Sequence, residues 1–204
     1  MVDEETVTRT FPDGPGEVDV IAIYEVQAGR IAQAWFKQGP PRPSPIVQIR
    51  RATPADALDV RELTRAAYLK WVAAIGREPT PMTVDHAERV RDHLVELLHV
   101  DGRLTALAEL VPEPDHLLVE NLAVLPANQG RGYGSLLLAH AEAVAASMRL
   151  PALRLYTNPL FAGNVRFYEG HGYRVDREEP FKGGTTVYMS KRLRLSDPAG
   201  EAGL

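Results

Sequence analysis

From Ile46 onward, stretches of alternating or continuous apolar residues take turns with stretches whose apolar positions recur every three or four residues, the rhythm of strands and helices in one α/β domain with a mixed sheet. Ile46–Arg51 reads as a short strand. Thr53-Pro54-Ala55-Asp56 then opens a helix, with Thr53 as N-cap, Pro54 at the first helical position and Asp56 near the positive end of the dipole. Val60, Leu63, Ala67, Trp71 and Ile75 keep helical spacing, the segment 76–81 breaks it, and Thr83 is the expected cap of a shorter second helix. Leu94–Val100 and Arg103–Val111 flank Asp101-Gly102, a strong hairpin signal. Leu117–Val124 reads as a strand, Gly134–Arg149 as a helix, Leu153–Thr157 as a strand and Gly163–Glu169 as a short helix. Tyr173–Asp176 and Thr185–Lys191 close the sheet.

Upstream the pattern is different. Val18–Val26 and Arg30–Phe36 read as two strands around Gln27-Ala28-Gly29, followed by Gly-Pro-Pro-Arg-Pro-Ser-Pro at 39–45, a stiff and extended linker composition. The expected division is a β-hairpin appendage at 1–38, a Pro-rich linker at 39–45, the main domain at 46–193 and a tail at 194–204. The hairpin resembles the last hairpin of a SnoaL-like domain, although the rest of such a fold, with its pocket, has no counterpart here. A lone hairpin is marginal in water, so it is expected to pack on the rest of the chain or on a partner subunit, which leaves a homodimer open.

Composition narrows the classes. Hydrophobic residues make up 45% of the 204 and charged residues 25%, ordinary globular values. A net charge of −4 argues against nucleic acid as a partner. No apolar run of about 18 residues is present and the first residues are acidic, so the expectation is neither membrane nor export but a cytoplasmic protein. The absence of cysteine excludes disulfides, thiolate metal sites and a cysteine-bound intermediate. No His, Asp and Glu grouping has metal-ligand spacing, so no metal is expected.

The chemistry concentrates at 122–135, Leu-Ala-Val-Leu-Pro-Ala-Asn-Gln-Gly-Arg-Gly-Tyr-Gly-Ser, a strand running through a glycine-rich turn into a helix. Unpaired N–H groups and the helix dipole suit such a turn to phosphate, glycines permit close approach, and Arg131 adds charge. The glycines run Gly-x-Gly-x-Gly, which fits neither the dinucleotide fingerprint nor a P-loop. Gln129-Gly130-Arg131-Gly132-Tyr133-Gly134 does match the Gln/Arg-x-x-Gly-x-Gly/Ala signature of the GNAT N-acetyltransferases. Downstream, Asn164-Val-Arg-Phe-Tyr168-Glu-Gly-His-Gly-Tyr173 is similar to that family's Tyr-Glu-x-x-Gly-Phe segment, and the resemblance covers about 46–193.

The resemblance implies a mostly antiparallel central sheet flanked by helices and acetyl-CoA as co-substrate. Backbone groups of Leu122, Ala123 and Val124 would pair with the pantetheine arm, amides from Gln129 through Gly130, Arg131, Gly132, Tyr133 and Gly134 to Ser135 would hold the pyrophosphate, and Tyr168 would stand by the thioester sulfur. Many relatives carry Asn seven residues before that tyrosine, where this chain has Phe161; Asn158 or Asn164 is left to take its place.

Transfer to an amine also needs a proton acceptor, since a free amine has a pKa of about 10. Glu120 is the candidate, placed by strand alternation on one face with Leu118 and Leu122; the competing reading is a solvent-reaching or salt-bridged sheet-edge carboxylate. His116 is the runner-up, and His140 and His171 read as surface positions. Tyr68 and Trp71, one turn apart, lie in the region that lines the acceptor side in the family, although helix-spaced aromatics are more often core. The expected activity is acetyl transfer to a primary amine of a small molecule or peptide by direct attack in a ternary complex. The alternative is a non-catalytic acetyl-CoA-binding module whose hairpin serves assembly.

Overall fold

The computed structural model describes residues 2–11, 14–161 and 163–194, so most of the expected tail lies outside the described residues. The chain divides into two compact units, Met1–Ile46 and Val47–Leu204. In the first unit the expected hairpin exists as strands β2 (Gly14–Gln27) and β3 (Arg30–Gln38), but it is not alone. A further strand, β1 (Val2–Phe11), pairs with β2 along its whole length, Val7 opposite Val18 and Val2 opposite Ile23. Its sequence, Val-Asp-Glu-Glu-Thr-Val-Thr-Arg-Thr-Phe, is largely polar, so no apolar alternation announced it; frequent β-branched residues suit it to an extended ribbon. The linker reading also changes. Arg42–Pro43 forms a two-residue strand, β4, on Gly16 and Glu17, beyond the end of β3, where β2 still offers an unpaired edge.

The second unit is built on a seven-stranded sheet, ordered β10-β11-β9-β8-β7-β6-β5. Its strands are β5 (Val47–Arg51), β6 (Leu94–Val100), β7 (Arg103–Pro112), β8 (Leu117–Val124), β9 (Ala152–Thr157), β10 (Arg174–Phe181) and β11 (Gly184–Arg192). Every neighbouring pair is antiparallel except β8 and β9. Four helices cover it: α1 (Ala57–Ile75), α2 (His86–Asp92), α3 (Tyr133–Ser147) and α4 (Asn164–Gly170). Among the described residues no helix is long and apolar enough to cross a membrane.

Local signals set most boundaries. The Asp56 carboxylate accepts from the backbone N–H of Thr53 at 2.7 Å and from its hydroxyl at 2.8 Å, and the Arg50 guanidinium clamps the same carboxylate at 2.6 and 2.9 Å. A 3-10 turn at Pro54–Asp56 therefore precedes α1. Asp85, rather than Thr83, caps α2, accepting from the N–H groups of Ala87 and Glu88. Thr83 instead closes the preceding 3-10 turn, its hydroxyl donating to the carbonyl of Thr80 at 3.0 Å.

The core has two layers. Ala106, Ala108 and Leu110 of β7 join Leu137, Leu138 and Ala141 of α3, while Leu107 joins Val60, Leu63 and Ala67 of α1 on the opposite face. Strands covered on both faces read as near-continuous apolar runs, as β6 and β7 do. Their carboxylates are buried but paired: Glu96 meets Arg51 at 2.7 Å, and Glu109 meets His93 at 2.5 Å. Leu137 is wholly buried in the α3 layer. Leu137→Ala should lower unfolding stability by roughly 2–5 kcal/mol in chemical denaturation, the range for a buried leucine that leaves a cavity.

Candidate active site

The site begins where two strands stop pairing. β8 and β9 run parallel only over Leu117–Val119 and Leu153–Leu155. At that point β8 carries an extra residue: Leu110 of β7 faces Val119, yet Glu109 faces Asn121, so Glu120 is a bulge with no partner. A bulge bends its strand and increases the local twist. Here it also inverts the pleat. Leu117 and Val119 face the α3 layer before it, Leu122 and Val124 face that layer after it, and Ala123 turns to α1. Glu120 therefore does not share a face with both Leu118 and Leu122, as uninterrupted alternation predicts.

Past the bulge, the β8 edge toward β9 is open and lines two adjacent cavities. Tyr68, Leu122, Asn164 and Tyr168 border both. One cavity is bounded by Ala123 and Val124 of β8, Gln129 and Gly134 of the glycine turn, Lys70 and Trp71 of α1, and Phe167 of α4. The other lies toward the α1–α2 connection, with Glu120, Tyr156, Asn158 and Phe161 on its walls.

The glycine turn leads directly into the N-terminus of α3. Gly130 and Gly132 have φ of 78° and 82°, the left-handed region where a side chain adds strain, and they present the turn at the N-terminus of α3. Gly134 serves a different end: a Cβ there would stand 3.2 Å from Cζ of Phe167, so its absence lets α3 and α4 approach closely. Arg131 is exposed, whereas the Tyr133 ring is buried in the α3 core, leaving only its backbone for a ligand. Ser135 donates to Nε2 of His171 at 2.8 Å, while Nδ1–H of His171 donates to the carbonyl of Phe167 at 2.7 Å. His171 is thus half-buried and orients the end of the turn rather than standing at the surface. Gln129 folds back, its Nε2 donating to the carbonyl of Val124 at 3.0 Å and its Oε1 accepting from Lys70 at 2.7 Å.

Around the other cavity, polar groups are braced from behind. The Tyr68 hydroxyl donates to Oδ1 of buried Asn121 at 3.0 Å. Burial first, then the nearby Glu120 carboxylate, pushes the Tyr156 phenol well above its ordinary value, so it stays protonated beside that carboxylate. Burial pushes the Tyr168 phenol up to about 12. Phe161 stacks on Trp71 at 4.9 Å and meets Tyr68 edge-on at 6.1 Å. Asn158 and Asn164 both reach cavity walls; Asn164 donates weakly to the Thr157 hydroxyl at 3.4 Å. Tyr68 and Trp71 thus line the cavities and both pack on Phe161 as well.

His116 stands at the start of β8, held by Asp115 at 2.7 Å and not on either wall. His140 approaches Glu96 at 3.4 Å and lines neither cavity. Among the described residues no three His, Cys, Asp or Glu side chains group as metal ligands. Sequence reasoning passed over Tyr156 and Asn121; the alternating Leu-Arg-Leu-Tyr-Thr of β9 carried a signal for the first, while the second needed the bulge.

The sequence profile of the acetyltransferase (GNAT) family matches residues 58–173. No curated protein sequence matches the chain. Among solved structures, the ribosomal-protein-S18-alanine N-acetyltransferase from Escherichia coli superposes with a TM-score of 0.61 at 18% identity, over 78% of this chain and 100% of that one. The PaiA N-acetyltransferase from Thermoplasma acidophilum, solved with coenzyme A, gives 0.61 at 20% identity over 72% and 99%. The IAA acetyltransferase from Bacillus cereus gives 0.57 at 20% over 72% and 100%. These likenesses are of fold; the profile, spanning more than half the chain, establishes that this protein belongs to the GNAT acetyltransferase family.

Gly134→Val pushes carbons beyond Cβ into Phe167 at the α3–α4 contact. Overpacking of this kind costs about 1–3 kcal/mol, so the variant should melt several degrees lower in a thermal scan.

Proposed function

We propose that this member of the GNAT acetyltransferase family transfers an acetyl group from acetyl-CoA to a primary amine of a small molecule or peptide, by direct attack within a ternary complex. The observation that carries this reading is the junction of two cavities at Tyr168, one beside the glycine turn and the other beside Glu120. A strand edge left open in a fold demands hydrogen bonds, and the pantetheine arm supplies amide groups that can add to Leu122, Ala123 and Val124 like a further strand. Pairing at the Val124 carbonyl displaces Gln129, whose side chain now covers it. The pyrophosphate fits the N-terminal amides of α3, between Gln129 and Ser135, with Arg131 free to add charge. Asn158 and Asn164 stand where they can hydrogen-bond the arm near its reactive end.

The chemistry then divides among few groups. Glu120 accepts the ammonium proton, directly or through one water, with the protonated Tyr156 phenol beside its carboxylate. The amine attacks the thioester carbonyl, whose developing oxyanion meets a backbone N–H near Val124. Tyr168 donates to the departing sulfur. A phenol at about 12 is a poor acid against a thiol near 8.5, so it acts as a hydrogen-bond donor to growing charge and keeps its proton until the thiolate can take one from elsewhere. With no cysteine in the chain, a thioester intermediate on the protein is excluded, which favours direct transfer.

Two substitutions test the roles. Tyr168→Phe keeps the ring and its packing on Phe167 and Tyr173. Acetyl-CoA affinity should hold in calorimetry while the single-turnover rate falls roughly 10- to 10³-fold; an unchanged chemical step removes Tyr168 from catalysis. Glu120→Gln should cost on the order of 10²-fold in turnover near neutral pH. The deficit should shrink as pH rises toward the amine pKa of about 10, because the acceptor then arrives already deprotonated. Wild-type turnover at pH 7 would return Glu120 to a structural role.

A further inference from the structure

The cavity on the Glu120 side has a charge pattern that restricts what can enter it. Of the residues lining it, Glu120 and Arg77 alone are charged at neutral pH. One carboxylate can neutralise one ammonium group. A polyamine or an aminoglycoside brings several, and the remaining cations would face Arg77, at a cost that grows as water is excluded. The uncharged lining is mixed: threonines and the amides of Asn158 and Asn164 stand among an apolar and aromatic part made by Tyr68, Phe161, Pro79 and Pro81 of the α1–α2 connection, and Phe181 at the end of β10. Flat rings and proline faces suit a compact apolar body of about aromatic size.

Arg77 supplies the second half of the argument. Among the described residues its Nη1 donates only to the backbone carbonyl of Glu78 at 3.3 Å, while the Glu78 carboxylate turns away to Arg65 at 2.8 Å. Among the described residues no carboxylate pairs with Arg77. Its guanidinium lies 5.8 Å from the centre of the Phe181 ring, and Lys182 stands over the same ring at 5.1 Å. Among the described residues, these two cations near one aromatic wall have no carboxylate within ion-pair distance. A guanidinium presents a fork of donors that matches a carboxylate, and it binds one best where water is scarce.

We infer that the acceptor is a zwitterionic primary amine: one ammonium group for Glu120, an apolar body of aromatic size, and a carboxylate or comparable anion for Arg77. This rests on the acetyl-transfer reading above and adds the substrate class to it.

The test uses the full chain, acetyl-CoA and three acceptors: phenylalanine, phenethylamine, which lacks the carboxylate, and spermidine, which adds cations. Thiol release gives kcat/KM for each, and calorimetry gives acetyl-CoA affinity. The expected order is phenylalanine, then phenethylamine, then spermidine. Arg77→Gln should lower the phenylalanine-to-phenethylamine ratio roughly 10- to 100-fold, mainly through KM, the range for losing a charge-assisted hydrogen bond. Arg77→Lys should restore part of that ratio. Should Lys182 substitute for the lost cation, the double variant R77Q/K182Q shows the full drop. Spermidine or phenethylamine matching phenylalanine, or an unchanged ratio in the double variant, overturns the inference while leaving acetyl transfer intact. Failure of every amine together with failure to bind acetyl-CoA overturns both.

Discussion

The parallel pairing of β8 and β9 lasts three residues, and its early end is the constraint on which the rest of the site depends. One extra residue in β8, Glu120, breaks the ladder with β7, bends the strand and inverts the faces of everything after it. Backbone groups in a sheet interior are ordinarily paired, and leaving them unpaired away from water is costly. The gap is therefore tolerated where a hydrogen-bonding ligand or solvent can enter it. The same bulge brings a carboxylate to the cavity wall and turns Leu122 and Val124 toward α3, leaving Asn121 and Ala123 for α1.

The groups around this gap are held by partners chosen for their burial. Asn121 is fixed between the hydroxyls of Tyr68 and Thr64, at 3.0 and 3.5 Å. Burial pushes the neighbouring Glu109 carboxyl up, while His93 and Arg89 pull the other way. Each of these contacts removes freedom from a side chain or strand that lines the cavities, so these walls need little rearrangement when a ligand enters. Phe161 adds a ring stacked on Trp71.

Much of this was legible in the chain before folding. The strand–helix rhythm, the hairpin at Asp101-Gly102, the glycine turn and the Tyr168 segment are local signals, each written within about a dozen residues by periodicity or by backbone preference. Even the Arg50–Asp56 clamp was half visible, since Asp56 stands at the start of a helix. What failed were readings that assumed regularity or a local cause. Thr83 and Asp85 are equally good caps by type, and only the path of the chain into α2 selects Asp85. β1 carries no apolar period, because pairing with β2, rather than burial of one face, makes it a strand.

Sequence alone determined the family-defining parts, for they depend on residues close together: glycines that permit positive φ ahead of α3, and a tyrosine one turn into α4. It could not determine which face Glu120 takes, that Tyr156 would meet it, or that Arg77 and Lys182 would gather around Phe181. Those relations join segments far apart along the chain. They follow from the register slip between β7 and β8 and from where the ends of α1 and β10 come to rest. Register and crossing positions are properties of the packed sheet, set by the sum of many side-chain contacts, and no single stretch of residues encodes them.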